Sequence, residues 1–476
     1  MGIACKGSVK YPKRHHKPRP RDQRFSGRKI LGSIRLGQLA HCSPPLATEP
    51  VAVNLVTLPS YWRFWWPLAL VGLAIPLSKV IINGGLARLE DGVVELATVA
   101  YAEGLFHLAQ AAMAFVPQAA TVLVRSRRDH QRCWRLSLLL AAMLALPILA
   151  LGGPLRPLLG HLYGIDGAIL QQAANYLLWM CPLLLLHAVV GYRVGLLVRH
   201  QRTGWVSIAT MSYLATVATV VGIGSWLSAP PLVLVVGSQA AALVVKASLL
   251  MLIWRQTPTD LTESEDRPLA FRGIWTFFWP LAITSAMFAA SRPVIYSVVG
   301  YTEQALLTVA VLRVAFDLGL LVQLPVNQFR HLLVTFVARD QAGVARFMLL
   351  TTAIITLLSL AFIASPLCPW VLQEVMGIRE DLIGPVRSTW LILVLVPVVV
   401  AWRNWHHGLA MVRRRTRSMA LAAVLRVAGT GALCAAAVPF GLLDHHLGAT
   451  ALLLGFAVEA LVVRQGGKRH RRLPLE

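Results

Sequence analysis

Two dipeptides set a hydroxyl beside a cation inside apolar sequence, Ser78-Lys79 and Ser291-Arg292. An arginine can fork two hydrogen bonds onto a carboxylate or phosphate, and a lysine adds a compact point charge. The serines supply neutral donors. Pro293 follows Arg292; it removes a backbone donor, so a helix can kink there and free a carbonyl. Lys79 lies fourteen residues past Trp65. On a helix that is about 21 Å, near or just beyond the middle of a hydrocarbon core of roughly 30 Å. A cation at that depth is costly against lipid and normally faces a cavity or a partner. Ser78, Lys79, Ser291 and Arg292 therefore read as a cationic clamp that binds an anionic substrate. The competing reading pairs each cation with a buried acid, Glu95, Glu103 or Asp317, and makes the pair a lock between helices.

Two other apolar stretches carry polar stripes. Glu103, His107, Gln110 and Gln118 fall within about 80° of one another on a helix of 100° per residue. Arg313, Asp317, Asn327, Gln328 and His331 share a face in the same way, and Arg313 and Asp317 are spaced to pair within one helix. Glu103, His107, Gln110, Arg313, Asp317 and Asn327 are the expected cavity and coupling residues. Glu103 and His107, four apart, could carry a coupling proton. The alternative for both stripes is hydrogen bonding between packed helices. Trp402-Arg403-Asn404-Trp405-His406-His407, with Tyr192-Arg193 as its counterpart, either snorkels at an interface or turns inward. Lys246, Arg426 and Glu459 read as single structural pairs.

These residues sit on a duplicated frame. Phe64-Trp65-Trp66-Pro67-Leu68-Ala69 returns as Phe277-Phe278-Trp279-Pro280-Leu281-Ala282, an offset of 277 − 64 = 213. The same offset aligns Ser78-Lys79 with Ser291-Arg292, Gly164-Ile165 with Gly377-Ile378, Gly195-Leu196 with Gly408-Leu409 and Arg202-Thr203 with Arg415-Thr416. Such a register indicates an internal repeat, and repeat interfaces of transporters hold the substrate. Apolar runs predict twelve spans, near 62–83, 94–122, 134–153, 168–198, 205–228 and 231–254, then 275–299, 304–337, 346–366, 381–412, 417–440 and 447–464. The expected class is an all-α polytopic membrane protein of two six-helix halves, 61–254 and 275–464. A basic tail (1–60), expected to be disordered, precedes them, a solvated linker (255–274) joins them and a basic tail (465–476) follows.

Composition agrees with a membrane setting. Hydrophobic residues make up 56% and charged residues 14% of the chain, with a mean hydropathy of +0.63; soluble chains carry about 25% charged residues. The net charge of +24 does not indicate a nucleic-acid partner, because Arg and Lys gather in short loops between spans. Arg125, Arg127, Arg128, Arg132 and Arg135, and Arg413, Arg414, Arg415 and Arg417, mark one side; only Arg88, Arg156, Arg379 and Arg387 mark the other. The positive-inside bias puts the first side and both termini in the cytoplasm of a plasma membrane, the inner one in a Gram-negative cell. Trp62, Trp65, Trp66, Trp205, Trp254, Trp275 and Trp279 lie near span ends, as interface anchors do. Six scattered cysteines show no metal spacing, and no phosphate-binding loop is present. The H-x4-D pattern of His161 and Asp166 lies in a short loop without a catalytic domain. No enzyme activity, cofactor or metal is expected.

Several stretches resemble the progressive ankylosis protein family. They are Phe278-Trp279-Pro280-Leu281-Ala282 with Ser291-Arg292-Pro293-Val294-Ile295, Asn83-Gly84-Gly85-Leu86-Ala87, Val94-Glu95-Leu96-Ala97, Val124-Arg125-Ser126-Arg127-Arg128-Asp129 and Val424-Leu425-Arg426-Val427. They run in order over about residues 62 to 464. The resemblance implies the fold of the multidrug/oligosaccharidyl-lipid/polysaccharide flippases. It also implies alternating-access export of a small anion such as pyrophosphate, citrate or a nucleotide. Lys79 stands where the family pattern has an acid, and Gly84 where it has an arginine; Phe288 and Ala289 replace polar residues. The expected partners are the anion, membrane lipid and a coupling proton or counter-ion. The alternative in the same fold is a flippase for a lipid-linked pyrophosphoryl saccharide. A cation or drug antiporter and a non-transporting scaffold rank lower.

Overall fold

A computed structural model describes residues 58–114, 116–124, 126–200, 202–257, 271–412 and 417–469. Eleven described helices are long and apolar enough to span a membrane: α1 Leu58–Ala87, α2 Gly92–Thr121, α3 Arg127–Gly152, α4 Gly167–Arg199, α5 Thr203–Trp226, α6 Val233–Arg255, α8 Ala305–Leu333, α9 Gln341–Ala364, α10 Glu380–Ala410, α11 Ser418–Phe440 and α12 His445–Gly466. Helix α7, Phe271–Val299, has 29 residues and stands at the seventh expected position. The fold is a bundle of roughly twelve long helices. The basic N-terminal segment through residue 57, most of the linker (258–270), Arg125, Arg413–Arg415 and the last residues (470–476) lie outside the described residues.

Helix starts differ from the hydropathy reading where polar caps act. Helix α3 begins at Arg127, seven residues before the expected apolar onset. The Ser126 hydroxyl accepts from Asp129 N and the Asp129 carboxylate accepts from Ser126 N, a reciprocal cap of two orphan donors. Arg127, Arg128, Arg132 and Arg135 therefore lie on the first turns of α3 and not in a loop. Helix α9 begins at Gln341 because Asp340 accepts from Gly343 N. The last helix runs on to Arg469, so part of the expected tail is helical.

The duplication is also written in the backbone. Left-handed φ values occur at Gly164 (62°) and Gly377 (67°), and at Ser228 (52°) and Gly441 (64°). Both pairs are 213 residues apart. Gly164 and Gly377 follow the short helical segments between α3 and α4, Arg156–Tyr163, and between α9 and α10, Leu367–Val375. At those turns only glycine takes the conformation freely.

The halves meet along two equivalent seams, α1 against α8 and α2 against α7. At the far ends of α1 and α7 the seams are tied by matching contacts. Arg88 Nη2 donates to the carbonyls of Glu374 (2.9 Å) and Val375 (2.7 Å), and the Tyr301 hydroxyl donates to the carbonyl of His161. Arg88 and Tyr301 are register partners, as are His161 and Glu374. At the other end, Tyr61 of α1 donates to Asp340 (2.8 Å) and Trp65 Nε1 to the Pro325 carbonyl (3.1 Å).

Candidate functional site

A cavity of about 580 Å³ lies between the halves, within the range of small-molecule pockets. Its charged and polar lining comes from α1 (Lys79), α2 (Glu103, His107, Gln110), α4 (His187), α6 (Lys246), α7 (Ser291, Arg292, Tyr296) and α8 (Arg313, Gln323). Both sequence-predicted cations therefore face one space. They keep some exposure, with 13% of the Lys79 side chain and 25% of the Arg292 side chain accessible.

Each cation is also paired, as the competing reading had it. Arg292 Nη1 donates to Asp317 Oδ1 at 2.7 Å. Lys79 Nζ lies 3.6 Å from Glu103 Oε2 and 2.8 Å from His107 Nε2. The lysine must donate there, which makes His107 Nε2 the acceptor and places a neutral ring's proton on Nδ1. Arg313 Nη1 reaches the same Glu103 oxygen at 3.0 Å, and Gln239 Nε2 donates to Oε1 at 3.1 Å. Asn83 closes the circuit: its Oδ1 accepts from Arg313 Nε at 2.8 Å and its Nδ2 donates to Asp317 Oδ2 at 2.9 Å. A continuous polar chain thus runs Lys79–Glu103–Arg313–Asn83–Asp317–Arg292 and ties α1, α2, α7 and α8 together.

The geometry corrects four sequence expectations. Arg313 and Asp317 do not pair with each other; each is taken by partners on other helices. Asp317 is buried behind the lining and does not form part of the cavity wall. Ser78 is buried, donates to the Ile75 carbonyl at 2.7 Å and does not line the cavity. Glu95, weighed as a partner for a cation, accepts from Gln172 and from Tyr176 OH instead. Sequence reasoning missed Asn83 as the link, although an asparagine at the end of an apolar span was the available signal. It also missed His187, whose ring lies 2.8 Å from Gln110 Nε2, and Lys246 as cavity lining.

Lys246 differs from the other cations. Among the described residues no carboxylate lies in ion-pair range of it, and its ammonium stands 5.7 Å from the Tyr213 ring centre. Three lining groups hold donors without a protein partner among the described residues: Ser291 Oγ, Arg313 Nη2 and Gln323 Nε2. Gln110 and Gln323 are register partners, as Lys79 and Arg292 are. Lys79, Lys246, Arg292 and Arg313 against Glu103 and Asp317 leave an excess of two positive charges with the histidines neutral. Phe316 lies 5.2 Å under the Arg292 guanidinium and holds it over the cavity.

Asn327 belongs elsewhere. It accepts from Arg403 Nη2 at 2.7 Å in a second buried cluster, formed by Arg403, Asn404, His407, Arg426 and Glu459. Arg403 and Asn404 are therefore interior residues and do not snorkel.

A sequence profile of the progressive ankylosis protein (ANKH) matches residues 52–321. The chain belongs to the progressive ankylosis protein family. Solved structures add the fold. The chain is similar to a multidrug resistance MATE family transporter of the MOP superfamily in its inward-facing conformation, at 16% identity and TM-score 0.69, covering 84% of this chain and 98% of that one. It is similar to the eukaryotic MATE transporter AtDTX14, at 16% identity and TM-score 0.63, covering 88% and 97%. It also resembles the lipid II flippase MurJ in an inward closed conformation, at 14% identity and TM-score 0.56, covering 86% and 87%. This member of the progressive ankylosis family is thus a polytopic membrane protein with a MATE-type fold.

Proposed function

We propose that this chain is an alternating-access transporter that exports a small organic or phosphate-containing anion, of the pyrophosphate, citrate or nucleotide class, through the central cavity. The observation that carries the reading is the charge at the cavity: four cations from both halves line it, against Glu103 in the wall and Asp317 behind it, leaving two positive charges. A dianion entering the cavity would neutralise that excess in a poorly hydrated space, where charge interactions are strongest. Ser291, Arg313 and Gln323 would supply its hydrogen bonds. The reading includes the cytoplasmic placement of both termini, with Arg88 and Tyr301 closing the external end. A cysteine at position 128 labelled from outside intact cells would reverse that orientation.

Lys246→Gln gives the cleanest test, because it removes a charge without stranding a carboxylate. Purified Lys246→Gln should stay folded and bind pyrophosphate or citrate about tenfold more weakly, equivalent to about 1.4 kcal/mol. Arg292→Lys should fold and lose transport into liposomes, since the lysine keeps charge but not the fork. Unchanged binding in both variants and in Lys79→Gln would overturn the reading. Binding of a lipid-linked pyrophosphoryl saccharide in preference to every free anion would establish the flippase alternative.

A further inference from the structure

The second cluster, on α8, α10, α11 and α12 of the C-terminal half, has an unusual balance of donors and acceptors. Glu459 is its one described carboxylate and serves three groups at once. Arg426 Nη1 lies 3.3 Å from Oε2, Arg403 Nη1 lies 3.5 Å from the same oxygen, and His407 Nε2 lies 3.4 Å from Oε1. All three distances are long for charge-assisted hydrogen bonds. Arg426 has no exposed surface and Arg403 only 3%. Their remaining bonds are few: Arg426 Nη2 donates to the Met287 carbonyl at 2.7 Å, and Arg403 Nη2 to Asn327 and Asn404. Arg403 Nε, Arg426 Nε, Arg426 Nη1 and His407 Nε2 have no hydrogen-bond acceptor among the described residues. Buried guanidinium donors without acceptors are costly, and one carboxylate cannot neutralise two guanidiniums.

The unsatisfied donors gather around one carboxylate and one pair of rings. Both guanidiniums share Glu459, and both lie over the same two rings. Arg426 Cζ is 5.0 Å from the Phe288 ring centre and 5.1 Å from that of Phe456; Arg403 Cζ is 5.5 Å and 5.3 Å from them. Phe288 and Phe456 also line the central cavity. They form a partition of two rings, centred 6.0 Å apart, between the cavity and the arginines.

We propose that Arg403, Arg426 and His407 form a buried halide-binding site in the C-terminal half, entered from the central cavity between Phe288 and Phe456. Glu459 acts there as a resident competitor that sets the affinity. A chloride accepts several N–H donors without a fixed direction, which suits donors aimed from two helices. It would restore the acceptor that Glu459 cannot provide to both guanidiniums. The site does not depend on the identity of the cavity's substrate.

Thermal unfolding of the purified full chain tests the proposal, with chloride titrated against gluconate at constant ionic strength. An ion that binds only the folded state raises Tm as its concentration rises. The wild type should show a chloride-dependent rise, and Arg426→Gln and Arg403→Gln should lose it. Glu459→Gln, which removes the competitor, should lower the half-saturating chloride concentration at least tenfold, or fold only in chloride. Should neither arginine variant fold, Glu459→Gln decides: an unchanged half-saturation overturns the proposal. So does a wild type indifferent to chloride. A chloride effect that survives Arg426→Gln and disappears in Arg292→Gln overturns it too, since the ion would then sit in the central cavity.

Discussion

Tyr213 and Lys246 on α5 and α6 occupy the same register positions as Arg426 and Glu459 on α11 and α12. In the N-terminal half the pair is a ring and a cation, and the cation reaches the cavity wall. In the C-terminal half it is a buried ion pair behind two phenylalanines. The scaffold is shared and the chemistry has separated. One half places at the cavity wall a lysine with no carboxylate in ion-pair range among the described residues; the other encloses its charges behind two rings. Position alone therefore does not decide what a polar residue in a spanning helix does. The side chain at its register neighbour decides whether it is held inside or offered to the cavity.

Exchanging the two chemistries is the strongest way to break that comparison. Glu459→Lys would put a third cation beside Arg403 and Arg426 with no acid, and losing a buried pair costs about 3–5 kcal/mol. It should abolish monodisperse protein on size-exclusion chromatography. Lys246→Glu should remain folded, because it lines a cavity, and should suppress anion binding more deeply than Lys246→Gln. Equal folding losses in both would mean that the two sites are not different in kind.

A second register pair gives an intermediate effect. Gly300 stands where α1 has Ala87. A Cβ on Gly300 would come 1.8 Å from the Tyr163 carbonyl oxygen. Gly300→Ala should therefore destabilise by about 1–3 kcal/mol or more, the range for overpacking. Ala87→Gly should cost about 1 kcal/mol at most. Chemical denaturation in detergent would separate the two.

The smallest effect concerns Asp340, whose register partner is Arg127. The Gly343 amide and the Tyr61 hydroxyl hold its carboxyl below the usual aspartate range. A depressed carboxylate adds stability above its unfolded pKa and loses it as pH falls through the folded value. Wild-type Tm should thus fall slightly below about pH 4, while Asp340→Asn should be lower at neutral pH and flat over that interval. Parallel acid profiles would remove the Tyr61–Asp340 contact from the account.

Among the described residues hydropathy located the eleven helices of spanning length and composition, and α7 beside them, because an apolar run of spanning length has few alternatives. It misjudged the starts of α3 and α9, where Ser126, Asp129 and Asp340 continue helix into polar sequence. The register located Lys79 and Arg292 on the cavity, since a repeat carries equivalent positions to equivalent places. Helical phase failed for Asn327: it shares a face with Arg313, but fourteen residues carry it about 21 Å along the axis, out of the cavity and into the arginine cluster. The pairing of Arg313 and Asp317 failed for another reason. Spacing within a helix cannot foresee that Asn83, Glu103 and Arg292 arrive from other helices. The sequence singled out Arg403, Arg426 and Glu459 but not their meeting in one cluster, because they are far apart in sequence.

The ties made by Arg88 and Tyr301 have acceptors that belong to the main chain. The carbonyls at 161, 374 and 375 exist whatever side chains those positions carry. A saturation library should therefore read as permissive at the three acceptor positions and restrictive at the donors and at Gly164, Gly300 and Gly377. Covariation between residue identities would be blind to such a fastening. Drift could erase every side-chain trace on one side of it while the closure itself stayed in place.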